Sequence, residues 1–273
     1  MHTATEEPKL DYHADLTRDS HSSLQLFRAS VERYAAIRIH KTMLPDASKP
    51  AMVFGSAFHC LLLEPEKFTE QYILEPKFDK RTTIGKEAHA AWLQEHGSKE
   101  VLSVEAWAML PAMVAGVMRN RYARSAIEGS GSIEEPVEWT DDVSGLRLKC
   151  KPDIRLANGL IIDVKTTNDI DPEAWSRTVA TFGYHRQAAL YLDGCWQVHQ
   201  ADGPFVHIAV SKEPPHECAV YEVGSESLAI GRSENADTLA ELMMRRDSGD
   251  WSGRWSADVT TVNLPTWYMR KAR

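Results

Sequence analysis

An alternation of apolar and charged residues over 146–166, interrupted by an Asn-Gly pair at 158–159, constrains the fold of this chain more than any other feature. Asn-Gly favours a two-residue hairpin turn, so the pattern predicts two antiparallel strands. Side chains two residues apart on a strand share a face, which places Asp163 and Lys165 together. The hairpin also sets Asp153 beside Asp163. The sequence therefore predicts two carboxylates and one ammonium at one place on a sheet.

The elements around this hairpin follow from the spacing of apolar residues. The predicted helices cover 22–41, 51–63, 82–96, 104–118, 184–198 and 227–246, with one more beginning at Pro172. The predicted strands cover 133–140, 146–156, 160–166, 205–211 and 218–223. This order indicates one mixed α/β domain over 11–273 with a helical N-terminal portion, preceded by a flexible tail over 1–10.

Composition argues against several classes of protein. Lys and Arg number 31 against 39 Asp and Glu, a net charge of −8. That balance argues against a protein that coats nucleic acid nonspecifically, but it leaves room for a local basic groove. The sequence has no run of 18 apolar residues, so no membrane span is expected, and the acidic, polar N-terminus does not resemble a secretory signal.

Two carboxylates and a lysine at one place suit metal-assisted hydrolysis of a phosphodiester. Carboxylate oxygens hold Mg²⁺ with open water positions, and the metal lowers the pKa of a bound water. Asp-x-Lys alone is a weak signal, because Glu7-Pro-Lys9 and Glu75-Pro-Lys77 fit the pattern equally well. The Lys-Pro-Asp run at 151–153, followed ten residues later by Asp163-Val-Lys165, is far more selective. The alternative from the hairpin alone is a surface ion pair on a solvated sheet face.

Several blocks of sequence together resemble the RecE exonuclease branch of the PD-(D/E)xK nucleases, which is related to the RecB nuclease domain. These blocks lie at 54–65, 134–141, 150–153, 163–167, 184–191 and 264–267, so that the resemblance spans roughly residues 11–267. It implies an α/β fold with a restriction-endonuclease-like core, a central mixed sheet flanked by helices. It also implies a Mg²⁺-dependent DNA exonuclease of phage or prophage origin, in the cytoplasm of a bacterial or phage-infected cell.

The resemblance also implies a ligand set for the metal. Asp153, Asp163 and the backbone carbonyl of Val164 are expected to hold Mg²⁺, with His59 and Glu134 completing or flanking the site. Mn²⁺ is expected to substitute, because it accepts the same oxygen ligands. A lone histidine in an apolar helix is usually a core residue, but His59 stands in the Gly-x-x-x-His position that approaches the metal in this family.

Two assignments leave alternatives open. Glu134 matches the family's strand glutamate five residues before a tryptophan, and Glu135 and Glu138 are close enough to be confused with it. Tyr184 and Gln187 match the family's Tyr-x-x-Gln motif, whose expected role is to position DNA or the catalytic lysine. The alternative for this pair is an ordinary helix surface.

The cysteines argue against an iron–sulfur member of the group. Such members carry a tight cysteine cluster after the Gln motif, whereas here Cys195 and Cys218 follow it far apart. Cys60 and Cys150 complete no Cys-x-x-Cys spacing, which also argues against zinc. We therefore expect no iron–sulfur cluster and reduced thiols.

Expected partners follow from the same resemblance. The substrate is double-stranded DNA, resected from 5′ ends to leave a 3′ strand for an annealing protein of RecT type. A homo-oligomeric ring of three or four subunits would hold DNA without strong general attraction. Two basic groups are candidates for the DNA path, Arg28, Arg33, Arg38 and Lys41 in the first and Arg119, Arg121 and Arg124 in the second. The alternatives are an endonuclease, a single-strand-specific nuclease, or a non-catalytic DNA-binding subunit.

Overall fold

The computed structural model describes residues 12, 14–46, 49–129, 131–255, 259 and 261–271. The tail expected over 1–10 lies outside the described residues. The helices are α1 His21–Ala29, α2 Val31–Tyr34, α3 Pro50–Leu63, α4 Pro65–Gln71, α5 Thr83–His96, α6 Val104–Arg119, α7 Arg121–Ile127, α8 Pro172–Phe182, α9 Tyr184–His199, α10 Ser225–Ser248 and α11 Thr266–Lys271. The strands are β1 Tyr72–Leu74, β2 Glu100–Leu102, β3 Gly131–Ile133, β4 Val137–Thr140, β5 Arg147–Cys150, β6 Ile154–Leu156, β7 Ile161–Thr167, β8 Phe205–Ser211 and β9 Cys218–Glu222.

A five-stranded mixed sheet forms the centre of the fold, in the order β3-β6-β7-β8-β9. The β7–β8 pair is parallel and the other neighbours are antiparallel. The predicted hairpin is the β6–β7 pair, with Ile154 opposite Ile162. Helices flank this sheet and dominate the N-terminal part of the described chain, so the predicted fold class is confirmed.

The sheet is buried on both faces, and the alternation along β7 decides what each face meets. Ile162 and Val164 pack with Phe58 of α3 in one apolar cluster. Ile161 packs in the other cluster with Leu190 of α9. Because residues two apart share a face, Asp163 and Lys165 lie on the α9 face of the sheet.

Two predicted strands are each divided in the structure. The strand expected at 133–140 becomes β3 and β4, which belong to different sheets, because Glu134 has a left-handed backbone with φ 50°. The strand expected at 146–156 breaks between β5 and β6, where Pro152 has no amide hydrogen to continue a ladder. A predicted site residue lies at each break: Glu134 between β3 and β4, and Asp153 between β5 and β6.

The helical region also differs from prediction. The helix expected over 22–41 is interrupted at Ser30, whose side-chain oxygen accepts a hydrogen bond from the amide of Arg33 and so starts α2. A π-helical turn over Ala35–Ile39 follows. The parallel pair β1–β2 was not predicted, because three-residue strands are too short to show a period. No helix in the described part of the chain has the length and apolar character that crossing a membrane requires.

A buried carboxylate ties the N-terminal segment to helix α10. Asp19 is fully buried and accepts hydrogen bonds from the hydroxyls of Ser23 and Tyr34, each at 2.9 Å. Arg246 of α10 donates to its other oxygen at 2.7 Å, and Nε of Arg38 lies 3.2 Å from the first. The buried charge of Asp19 is therefore matched by two guanidinium groups.

Replacing Asp19 with Ala should lower the free energy of unfolding by about 3–5 kcal/mol, because it leaves two guanidinium groups without their buried counter-charge. Asp46→Ala is the matched control: it removes the partner of Arg33 in a pair whose carboxylate is 62% exposed, and it should change stability by less than about 1 kcal/mol. Urea unfolding measures both. Equal losses for the two variants would contradict this account.

Candidate active site

The β6–β7 hairpin brings the two predicted aspartates together. Asp153 stands just before β6 and Asp163 lies in β7; continuing the register of Ile154 opposite Ile162 sets the two aspartates across from each other. Both are buried. The amide of Val164 donates to Oδ2 of Asp153 at 2.6 Å, so the Asp153 side chain replaces the strand neighbour that β7 lacks at this point.

His59, on α3, contacts both the hairpin backbone and Asp153. Its Nε2 donates to the carbonyl oxygen of Val164 at 2.7 Å, and its Nδ1 lies 3.4 Å from Oδ1 of Asp153. Burial opposes a charged imidazole, but the Asp153 carboxylate outweighs it and raises the pKa of His59. The histidine is thus drawn to the same point as the carboxylate and the carbonyl that were predicted as ligands.

Glu134 joins this group from the break between β3 and β4. Its amide donates to the carbonyl of Asp153 at 3.1 Å, and its carboxylate pairs with Lys151. Burial and the neighbouring Asp153 charge raise the pKa of Glu134. Ligand atoms of His59, Glu134 and Asp153 all lie within 4.8 Å of one another. The left-handed backbone of Glu134, unusual for a residue with a side chain, is what turns it toward the group.

The alternatives for the strand glutamate lie elsewhere. Glu135 is 51% exposed and pairs with Arg155 at 2.6 Å. Glu138 is 46% exposed and pairs with Arg18 at 2.9 Å. Neither carboxylate belongs to the group formed with His59 and Asp153.

The carboxylate of Asp163 contacts Lys165 and Gln187. Its Oδ2 lies 2.6 Å from the Lys165 ammonium, and Nε2 of Gln187 donates to Oδ1 at 3.1 Å. Burial raises the pKa of Asp163 to about 6, with Lys165 opposing the shift and Asp153 adding to it. Asp163 thus stands next to the ligand group but is engaged by the lysine and the glutamine.

Lys165 is held between a carboxylate and a ring. Its ammonium lies 4.9 Å from the centroid of the Tyr184 ring, a cation–π contact. Burial disfavours the charge, but Asp163 and Asp153 outweigh it and raise the pKa of Lys165. The Tyr-x-x-Gln pair therefore contacts the catalytic candidates directly: Tyr184 meets the lysine and Gln187 meets the aspartate.

The donor set fits a hard divalent cation. Carboxylates of Asp153 and Glu134 and the carbonyl of Val164 offer oxygen, and His59 offers one imidazole nitrogen. Mg²⁺ and Mn²⁺ favour such oxygen-rich sites. Asp163, also a predicted ligand, is not one of the three residues whose ligand atoms lie within 4.8 Å of one another; its carboxylate contacts Lys165 and Gln187.

A cleft of about 930 Å³ opens beside this group. His59, Glu134, Lys151, Asp153 and Gln187 line it, together with residues of α1. The sequence had given no role to Lys151, the partner of Glu134, although it shares a strand face with Asp153 in the predicted alternation. His21, the first residue of α1, also lines the cleft, and no signal in the sequence points to it.

Most of the first basic group serves the fold. Arg28 donates to Thr238 of α10 at 2.8 Å, Arg33 pairs with Asp46, and Arg38 lies against Asp19. In the second group, by contrast, Arg121 and Arg124 are exposed on α7. The charge stripe that the sequence shows on the N-terminal helix is therefore largely occupied by contacts within the protein.

Comparisons with known proteins identify the family and the fold of the chain. Residues 20–257 match the family described as "PDDEXK-like domain of unknown function (DUF3799)". No curated protein is similar enough to match the chain. A crystal structure of a "Putative exonuclease" from Eubacterium rectale is similar over 98% of this chain and 98% of its own, with 14% sequence identity and a TM-score of 0.63, which shows a shared fold. A crystal structure of LHK-Exo in complex with dAMP aligns over 74% of this chain and 97% of its own at 13% sequence identity. Its TM-score of 0.30 is too low to indicate a shared fold.

Glu134→Gln should weaken Mn²⁺ binding at least about tenfold, since loss of even an outer partner of a metal site has effects of that size. The amide keeps the shape of the side chain but removes the charge next to His59 and Asp153. Glu135→Gln is the matched control and should bind Mn²⁺ as the wild type does. Calorimetric titration with Mn²⁺ measures both, and a larger loss in the Glu135 variant would contradict the assignment.

Proposed function

Because the chain belongs to the PDDEXK-like domain family, which matches residues 20–257, we propose that it is a divalent-metal-dependent nuclease that acts on DNA. One observation carries the proposal. The group formed by His59, Glu134 and Asp153 lies next to the pair of the buried Asp163 and the half-buried Lys165, at the end of one hairpin. Oxygen ligands and a charged lysine at one place are what hydrolysis of a phosphodiester requires.

Each residue has a distinct role in this proposal. Asp153, Glu134, Asp163 and the Val164 carbonyl hold Mg²⁺, with Mn²⁺ as a substitute, and His59 completes or flanks the site. When bound, the metal supplies a Lewis acid and lowers the pKa of a coordinated water. Lys165 stabilises the charge that develops on the phosphate, and its raised pKa keeps it cationic for that purpose.

Gln187 and Tyr184 act on the residues that react. Gln187 holds the Asp163 carboxylate by a hydrogen bond of 3.1 Å, and Tyr184 lies 4.9 Å from the lysine ammonium. Both therefore restrict the Asp163–Lys165 pair to one arrangement. Preorganised charges of this kind do not have to reorient during the reaction.

The finer proposal is an exonuclease of RecE type. It would resect duplex DNA from 5′ ends and leave a 3′ strand for an annealing protein of RecT type. The sequence resemblance supports this, and the fold shared with the exonuclease named in the Eubacterium rectale structure is consistent with it. No iron–sulfur cluster is part of the proposal.

Digestion of one duplex, labelled separately at each 5′ and each 3′ end, tests the reaction. With Mg²⁺, label at the 5′ ends should be released first, while 3′-labelled strands remain long. Internal cuts in a closed circular duplex would instead favour an endonuclease, and preference for single strands the single-strand-specific alternative. DNA binding without hydrolysis in any divalent metal would favour the non-catalytic subunit. Full activity in EDTA would contradict the metal mechanism.

Lys165→Ala should lower turnover by about 10²–10³-fold, the usual effect of removing one preorganised electrostatic group. Duplex binding should change little, because a duplex contacts many other phosphates. Lys86→Ala, on the exposed surface of α5, is the control and should leave turnover unchanged. Near-normal turnover by the Lys165 variant would mean that another lysine is responsible.

A ring of three or four subunits is proposed as the working form. A chain with a net charge of −8 has little general attraction for DNA, so enclosure would replace strong binding at each step. Light scattering at assay concentration gives the mass, and a heparin trap counts the nucleotides removed per encounter. A monomeric mass with release after a few nucleotides would defeat the ring and leave the nuclease proposal standing.

A further inference from the structure

An exposed phenylalanine stands at the corner between α8 and α9, beside the candidate active site. Phe182 is the last residue of α8 and is 57% exposed. Its ring stacks on that of Tyr184, with centroids 5.7 Å apart and an interplanar angle of 23°. The Lys165 ammonium lies 4.9 Å from the same Tyr184 centroid. The two separations place the Phe182 ring within about 11 Å of the lysine.

The backbone at this corner is held by a glycine turn and by a hydrogen bond from α1. Gly183 ends α8 and precedes α9 with a left-handed backbone of φ 70°. A Cβ there would meet Nη2 of Arg186 at 2.2 Å and Nε2 of Gln25 at 2.6 Å. The left-handed backbone and these neighbours both favour glycine at this position. Gln25, on α1, also donates to the carbonyl oxygen of Phe182 at 2.8 Å. The backbone that carries the exposed ring is therefore held by a contact from α1.

Phe182 is the open end of a row of rings. Tyr221 stacks on Trp175 at 6.0 Å, Trp175 contacts Tyr184 at 5.9 Å, and Tyr184 stacks on Phe182. Trp175 is buried, whereas Phe182 is mostly exposed to solvent. An aromatic ring held rigidly with one free face offers a stacking surface to another flat ring.

We propose that Phe182 stacks on a base of the DNA strand next to the bond that is cut. The proposal rests on the proposed nuclease function, which brings the DNA backbone to Lys165. Every base has a flat face, so this contact suits an enzyme that must move through any sequence. Bases along one strand are about 3.4 Å apart, so the stacked base lies within roughly three nucleotides of the reacting phosphate.

A duplex that carries 2-aminopurine at one of the first four positions from its 5′ end tests the contact. Ca²⁺ replaces Mg²⁺ so that the DNA stays intact, and a gel checks that it does. The wild type should change the fluorescence at one of these positions. Phe182→Ala should abolish that change and weaken binding by about 5- to 150-fold, the range for loss of one base–aromatic stack.

Two further variants separate stacking from damage to the fold. Phe182→Trp keeps a flat ring and should restore both the fluorescence change and the affinity. Trp196→Ala is the matched control, since Trp196 is 54% exposed near the end of the neighbouring helix α9 and its loss should leave both unchanged. With Mg²⁺, Phe182→Ala should raise KM and leave kcat within about twofold, because the stack is not part of the reacting group.

The outcomes distinguish this inference from the proposed function. Hydrolysis by both wild type and Phe182→Ala, with equal KM and equal fluorescence, would overturn the stacking contact and leave the nuclease standing. Loss of the fluorescence change in the variant, with no hydrolysis by the wild type, would support stacking and defeat the nuclease. A change of oligomeric mass in Phe182→Ala with unchanged DNA binding would assign the ring to a contact between copies of the chain. Absence of any DNA binding by the wild type would overturn both.

Discussion

The site depends on one strand that loses its neighbour partway along its length. β6 pairs with β7 at Ile161 and Ile162, and the chain that precedes β6 turns away at Asp153. A buried amide and carbonyl at Val164 would otherwise lack partners, which is costly in a sheet interior. The Asp153 carboxylate accepts from the amide, and His59 donates to the carbonyl. The requirement to satisfy this backbone therefore gathers the candidate ligands.

That arrangement places two groups of polar side chains at different positions around β7. On the α9 face, Asp163 and Lys165 form a charged pair that Gln187 and Tyr184 hold. At the open edge, the carboxylate of Asp153 meets residues from α3 and from the β3–β4 break. Because both sets hang from three consecutive residues of one strand, the distance between them is fixed by backbone geometry and not by flexible loops. A reacting phosphate requires such fixed relations between its ligands and its cation.

The sequence predicted what depends on local period and missed what depends on tertiary pairing. Alternation correctly placed Asp163 and Lys165 on one face and Asp153 opposite Asp163. It could not show that β3 and β4 separate at Glu134, because a left-handed residue leaves no mark on the pattern of apolar residues. The basic group containing Arg28 remained a candidate for the DNA path in the sequence, since its partner Thr238 lies 210 residues further along the chain. Motifs predicted the residues of the candidate site, and the structure adds the contacts that each of them makes.

The buried Asp19 network also has a consequence for folding during synthesis on the ribosome. Asp19 and Arg246 are 227 residues apart, and the segment that holds Asp19 leads directly into α1, a wall of the cleft. Trp251 stacks on Tyr34 at 5.9 Å, so a second residue, from beyond α10, contacts the same N-terminal segment. A nascent chain exposes its N-terminal part first, at a time when the guanidinium from α10 does not yet exist. The α1 wall of the cleft therefore reaches its folded arrangement only after α10 has been synthesised.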